Sequence, residues 1–113
     1  MTLKNDAGRL RDAHLGWSEA EFQRAVIDLA ERRGWLVAHF RPARTAQGWR
    51  TPVEGDAGFP DLVLARAGVV WLVELKSERG PWTEAQQAWA RELGASWKLY
   101  RPRHWPEIER LLE

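Results

Sequence analysis

The chain has 113 residues, 17 Lys and Arg against 16 Asp and Glu for a formal charge of +1, no cysteine and eight tryptophans. That length supports one core and one domain, and the missing cysteine excludes disulfides, thiolate catalysis and cysteine-ligated zinc. The near-neutral charge neither demands nor excludes a nucleic-acid partner, and the tryptophan count alone does not divide core from interface or stacking surface.

Residues 1–15 mix Lys4, Arg9 and Arg11 with Asp6 and Asp12. They lack the apolar stretch of a secretory signal and are expected to be an N-terminal extension. No run approaches the roughly 18 apolar residues of a membrane span, so a cytoplasmic protein without a membrane partner is expected. Ser18 and Glu21 form the S-x-x-E pattern of a capping box, and Trp17 and Phe22 are spaced for a hydrophobic staple. Phe22, Ala25, Val26, Leu29 and Ala30 then recur at helical spacing up to Gly34. A helix is expected over 19–33.

Residues 35–40 read as a short strand. From Arg41 to Gly58 the pattern dissolves among Pro42, Gly48, Pro52 and Gly55, which predicts a long loop. Two β-rich runs follow, 61–65 and 69–76, joined as a hairpin through Ala67 and Gly68. Thr83 opens a second helix, with Gln86 completing another capping pattern, and Gly94 ends it. Residues 96–100 read as a last strand, and Pro106 suits the first turn of a terminal helix. The order α-β-β-β-α-β-α predicts an α/β fold, a mixed sheet flanked by helices.

In the hairpin register that puts Arg66 opposite Val69, Asp61 falls opposite Glu74, on one sheet face and with Cβ atoms about 5 Å apart. Lys76 lies two residues beyond Glu74 and shares that face. Two acids and a lysine on otherwise apolar strands fit a divalent cation with hard oxygen ligands, Mg²⁺ or Mn²⁺. A weakly stabilising ion pair on a solvated face is the plain alternative.

The wording around these residues is Gly58-Phe59-Pro60-Asp61-Leu62, then Glu74-Leu75-Lys76, then Thr83 through Gln86 to Trp89. It resembles the PD-(D/E)XK nuclease superfamily. Within it the chain is similar to the VRR-NUC family (virus-type replication-repair nucleases), in its stand-alone phage and bacterial form. The likeness spans residues 18 to 112. It implies a restriction-endonuclease-like fold over 16–113 and metal-dependent hydrolysis of DNA, selective for branched or junction structures. It further implies a homodimer in the cytoplasm of a bacterial or phage-infected cell. Asp61 and Glu74 would ligate Mg²⁺ or Mn²⁺ with the Leu75 carbonyl, and Lys76 would act beside the attacking water.

The family also places a glutamate on the first helix. At about 100° per residue, Glu19 and Gln23 flank the core-facing stripe, whereas Glu21 lies roughly opposite it. Glu19 is therefore the favoured ligand, with an ordinary first-turn acid complementing the helix dipole as its alternative. Gln86 would position water or Lys76, with capping as its alternative.

Residues 32–53 carry five arginines and no acid. Arg41, Arg44 and Arg50 in the expected loop, with His39 before it, are candidate DNA contacts. Lys98, Arg101, Arg103 and His104 make a second basic run, for which a solvated face is the alternative. Trp35, Trp89 and Trp97 read as core, Trp71 packs beneath a helix, and Trp49 and Trp82 are placed to stack on bases. Two other classes of function stay open. One is a catalytically silent nucleic-acid-binding module on the same fold, and the other is an interaction subunit docking through a tryptophan-rich surface.

Overall fold

Ser18 starts the first helix of the computed structural model, which describes residues 13–40, 43–46, 48–50 and 54–113, with backbone alone for 43–45, 49 and 50. The Ser18 side chain accepts from the Glu21 N–H, and the Glu21 carboxylate accepts from the Ser18 N–H. Two of the helix's orphan donors are thus satisfied. Trp17 stacks on Phe22 at 6.4 Å between centroids, the expected staple. Helix α1 runs Glu19–Arg32 and buries Phe22, Val26, Ile27, Leu29 and Ala30. Of the expected N-terminal extension, residues 1–12 lie outside the described residues. Ala13–Gly16 form a single 3₁₀ turn with His14 buried against Trp17.

The main sheet has four strands in the order β1 (Leu36–His39), β4 (Leu62–Arg66), β5 (Val69–Leu75) and β6 (Trp97–Tyr100). The β1–β4 and β4–β5 pairs are antiparallel, and β5–β6 is parallel. A parallel pair needs a crossover, supplied here by α2 (Glu84–Leu93). The hairpin register is the expected one: Arg66 pairs with Val69 and Leu62 with Val73. Ala67 at φ 51° and Gly68 at φ 81° are both left-handed, as a two-residue turn matched to strand twist requires.

Strand alternation then decides what is buried. Leu62, Leu64, Val73 and Leu75 share one face and form the core with Phe22, Val26 and Leu29 of α1 and with Ile108 and Leu112. Ile108 belongs to the terminal helix α3 (Trp105–Leu111). Glu74 alternates with Val73 and Leu75, so it points from the opposite face, beneath α2. The architecture is mixed α/β, a four-stranded mixed sheet flanked by helices.

Three expectations are corrected. Residues 41–58 are not one loop: β2 (Ala43–Thr45) and β3 (Gly48–Arg50) pair antiparallel as a separate ribbon, with Arg44 opposite Trp49. Strands of three residues are too short to show a period in sequence. Trp97 is only half-buried and stacks on Trp82, which is 42% exposed, at 5.6 Å between centroids. Trp89 is also half-buried. Its indole N–H donates to the Ala57 carbonyl at 3.0 Å and its ring meets Phe59 edge-on at 5.0 Å, so it pins a loop to α2 rather than filling the core. Trp35 is buried as expected, with its N–H on the Leu112 carbonyl.

Candidate active site

Asp61 lies one step beyond the Leu62–Val73 pair, at the position opposite Glu74. Its carboxylate is fixed by its neighbours in the sheet. Oδ2 accepts the Leu75 N–H at 2.9 Å, and the Asp61 carbonyl accepts from Phe40 N–H at 3.0 Å. The approach to Asp61 is shaped by Gly58 at φ +93°, which lies hard against the first turn of α2. An aromatic ladder supports the same segment: Phe40, Phe59 and Trp89 meet edge-to-face in sequence.

Glu74 is 3% exposed. Its Oε1 accepts from Gln86 Nε2 at 3.2 Å and stands 3.9 Å from Lys76 Nζ. Its Oε2 is buried with no hydrogen-bond partner among the described residues. Burial, followed by the Asp61 charge and a hydrogen bond with Asp61, pushes the Glu74 carboxyl up to about 9. Lys76 pulls it back only in part, and Glu19 adds to the rise. A buried carboxylic acid beside a second carboxylate is therefore protonated at neutral pH unless a cation takes the proton's place.

These residues line one cleft of about 240 Å³ at the ends of the strands. Around it stand Glu19, Gln23, His39, Phe40, Asp61, Glu74, Leu75, Lys76 and Gln86. Glu19 and Glu21 are both exposed, but Glu19 lines the cleft whereas Glu21 is occupied by the cap. Gln86 does both of the things its pattern allowed. Its Oε1 accepts the Thr83 N–H to close the second capping box, and its Nε2 reaches Glu74. Phe40 is the lining residue that sequence did not single out; its place just after His39 at the end of β1 was the available signal.

Among the described residues no group of three or more His, Cys, Asp or Glu side chains is close enough together to hold a metal ion. A donor set of two carboxylates, one backbone carbonyl and waters nevertheless suits Mg²⁺ or Mn²⁺, which keep much of their hydration. The unpartnered, buried Oε2 of Glu74 beside Asp61 is the observation that fits such an ion.

The basic residues divide differently. Arg41 lies outside the described residues, and Arg44 and Arg50 stand on β2 and β3. The second basic run also makes contacts within the chain, although Arg103 stays exposed. Arg101 and Arg103 hold the turn after Lys76, Lys98 sits 5.0 Å over the Trp71 ring, and His104 Nδ1 accepts the Arg101 N–H. No helix among the described residues is long and apolar enough to cross a membrane. Comparison with protein-family models, with curated proteins and with solved structures finds no match.

Proposed function

We propose that this protein is a metal-dependent DNA nuclease with a restriction-endonuclease-like, VRR-NUC-type domain. The observation that carries the proposal is the convergence of Asp61, Glu74, Lys76 and Gln86 on one cleft, with Glu74 Oε2 buried beside Asp61 and given no hydrogen-bond donor among the described residues. Asp61 and Glu74, with the Leu75 carbonyl, would hold Mg²⁺ or Mn²⁺, and Glu19, which lines the same cleft, would assist as a further ligand. A cation there lowers the pKa of a bound water and offsets charge on a phosphodiester.

The chain's own residues supply the rest. Lys76 places an ammonium beside the acids, where it orients the attacking water and opposes negative charge growing on the phosphoryl oxygens. Gln86 donates to Glu74 Oε1 from an amide whose oxygen is held by the Thr83 N–H. Water's oxygen bonds to phosphorus, its proton leaves to solvent or a neighbouring base, and one P–O ester bond breaks with protonation of the departing alkoxide. Arg41, Arg44, Arg50 and His39 would contact the strand around the scissile phosphate. The two-fold dimer belongs to the same proposal, with two related clefts addressing opposite strands of branched DNA in a bacterial or phage-infected cytoplasm.

The test is Mg²⁺-dependent cleavage of duplex, flap and four-way-junction DNA by the wild type, Glu74→Ala and Lys76→Ala. The wild type should cut and both variants should lose cleavage. Cleavage that survives both substitutions rejects the assignment.

A further inference from the structure

Lys76 has a long side chain and a weak anchor. Its ammonium stands 3.9 Å from Glu74 Oε1, beyond ordinary hydrogen-bond distance. A lysine also has about 1.5–2 kcal/mol of rotamer entropy to lose on being fixed. Yet the side chain is only 13% exposed, so something other than Glu74 confines it.

The turn that follows supplies the confinement. The Gly80 face of the turn looks toward the lysine stem: a Cβ added there would meet Lys76 Cδ at 3.6 Å and Ser77 Oγ at 2.9 Å, so the space left beside the stem is about one methyl group wide. That turn is held from the segment just after β6, where Arg101 precedes the 3₁₀ turn Pro102–His104. Nη1 of Arg101 donates to the carbonyls of Ser77, Glu78 and Gly80 at 2.7, 3.2 and 2.9 Å. Glu78 is tied in addition to Arg103, whose N–H and Nη1 donate to its two carboxylate oxygens at 2.7 and 2.6 Å. Arg101 is itself anchored: the Lys76 N–H donates to the Tyr100 carbonyl just before it, and its own N–H donates to His104 Nδ1.

We propose that Arg101 is a positioning residue for Lys76. By gathering three carbonyls of the 77–80 turn on one guanidinium nitrogen, it fixes the turn that borders the Lys76 stem and so limits where the ammonium stands over Glu74. The kinetic part of this proposal rests on the nuclease assignment; the positional part does not. A lysine at 101 keeps the charge but loses the planar, preorganised donor set.

Two measurements on wild type, Arg101→Ala, Arg101→Lys and Gly80→Val separate these parts. The first is the acylation rate of the Lys76 amine by a water-soluble acetylating ester, read by mass spectrometry against Lys98. It needs no catalysis. The second is the kcat and KM of Mg²⁺-dependent DNA cleavage. Arg101→Ala should raise the Lys76 acylation ratio severalfold and lower kcat by about tenfold to a hundredfold while KM moves less than about twofold. Millimolar guanidinium should restore both readouts in Arg101→Ala and leave the wild type unchanged. Arg101→Lys should shift both in the same direction and carries the test if Arg101→Ala does not fold; Gly80→Val, which crowds the lysine stem, should change the acylation ratio with Arg101 left in place. If the wild type cuts no DNA but the acylation ratio still shifts, the nuclease assignment falls and the positional role stands. An unchanged acylation ratio in folded Arg101 variants overturns the proposal whatever the cleavage rates.

Discussion

Gln86 Nε2 donates to Oε1 of Glu74 across 3.2 Å while the Gln86 Oε1 accepts the Thr83 N–H. One side chain thus caps a helix and steadies a buried acid, and two substitutions tell these roles apart. Thr83→Ala removes the hydroxyl that accepts the Gln86 N–H and leaves the Glu74 contact. It should lower stability by about 1 kcal/mol and leave cleavage intact. Gln86→Ala removes both contacts and should also slow cleavage about tenfold, the kinetic equivalent of ~1.4 kcal/mol. Chemical denaturation and single-turnover kinetics on the two variants check this. Equal cleavage by both would reduce Gln86 to a cap.

The Glu74 carboxyl predicts a pH dependence with a definite sign. Its native pKa is raised from 4.5 to about 9. Between those values the native state holds a proton that the unfolded chain has released. Without metal, stability should therefore fall as pH rises through this window, with this group's slope approaching about 1.4 kcal/mol per pH unit. Glu74→Gln should flatten that component. Because a cation displaces the proton, stabilisation by Mg²⁺ should grow as pH rises. Melting curves from pH 5 to 9, in EDTA and in Mg²⁺, read both effects. A slope identical in wild type and Glu74→Gln would contradict the assigned burial of this acid.

Gly58 should tolerate no side chain. A Cβ there would lie 2.5 Å from the Ala85 carbonyl carbon and 2.7 Å from Gln86 N, at a φ of +93° that L-residues rarely adopt. The obstacle is backbone, so α2 or the 58–61 segment must move. Gly58→Ala should destabilise by about 1–3 kcal/mol and should impair cleavage in the fraction that folds, because Asp61 and Gln86 are both displaced. Urea denaturation of the variant measures the first part. Wild-type stability there would mean that this close approach does not constrain the fold.

The arginines of the basic segment predict a salt effect. Replacing Arg41, Arg44 and Arg50 together with glutamine should weaken DNA binding for all sequences alike. The slope of log affinity against log salt should become shallower by about 0.9 for each duplex phosphate contact removed. Fluorescence anisotropy across a salt series measures this, and an unchanged slope removes these residues from the interface.

Much of this architecture was legible because it follows from short-range rules. The Ser18–Glu21 box and the Trp17–Phe22 staple fixed the start and facing of α1, and that facing separated Glu19 from Glu21. The Ala67–Gly68 turn fixed the hairpin register, and with it the opposition of Asp61 and Glu74. What was not legible depends on contacts distant in sequence. The β2–β3 ribbon is too short to carry a period. Trp89 and Trp97 read as core because apolar spacing does not reveal that a ring will meet a loop carbonyl or another indole. Arg101 and Arg103 read as a basic face because nothing local shows that the 77–80 turn, more than twenty residues upstream, will lie against them.

The central claim is that Asp61 and Glu74 share one divalent cation, and a crystal soaked in Mn²⁺ and measured at the manganese absorption edge tests it most directly. An anomalous peak should stand about 2.0–2.4 Å from oxygens of Asp61 and Glu74 and be lost in a crystal of Glu74→Ala. A Glu74 that keeps its metal-free contacts with Gln86 and Asp61 at saturating Mn²⁺, with no peak in the cleft, would contradict that claim.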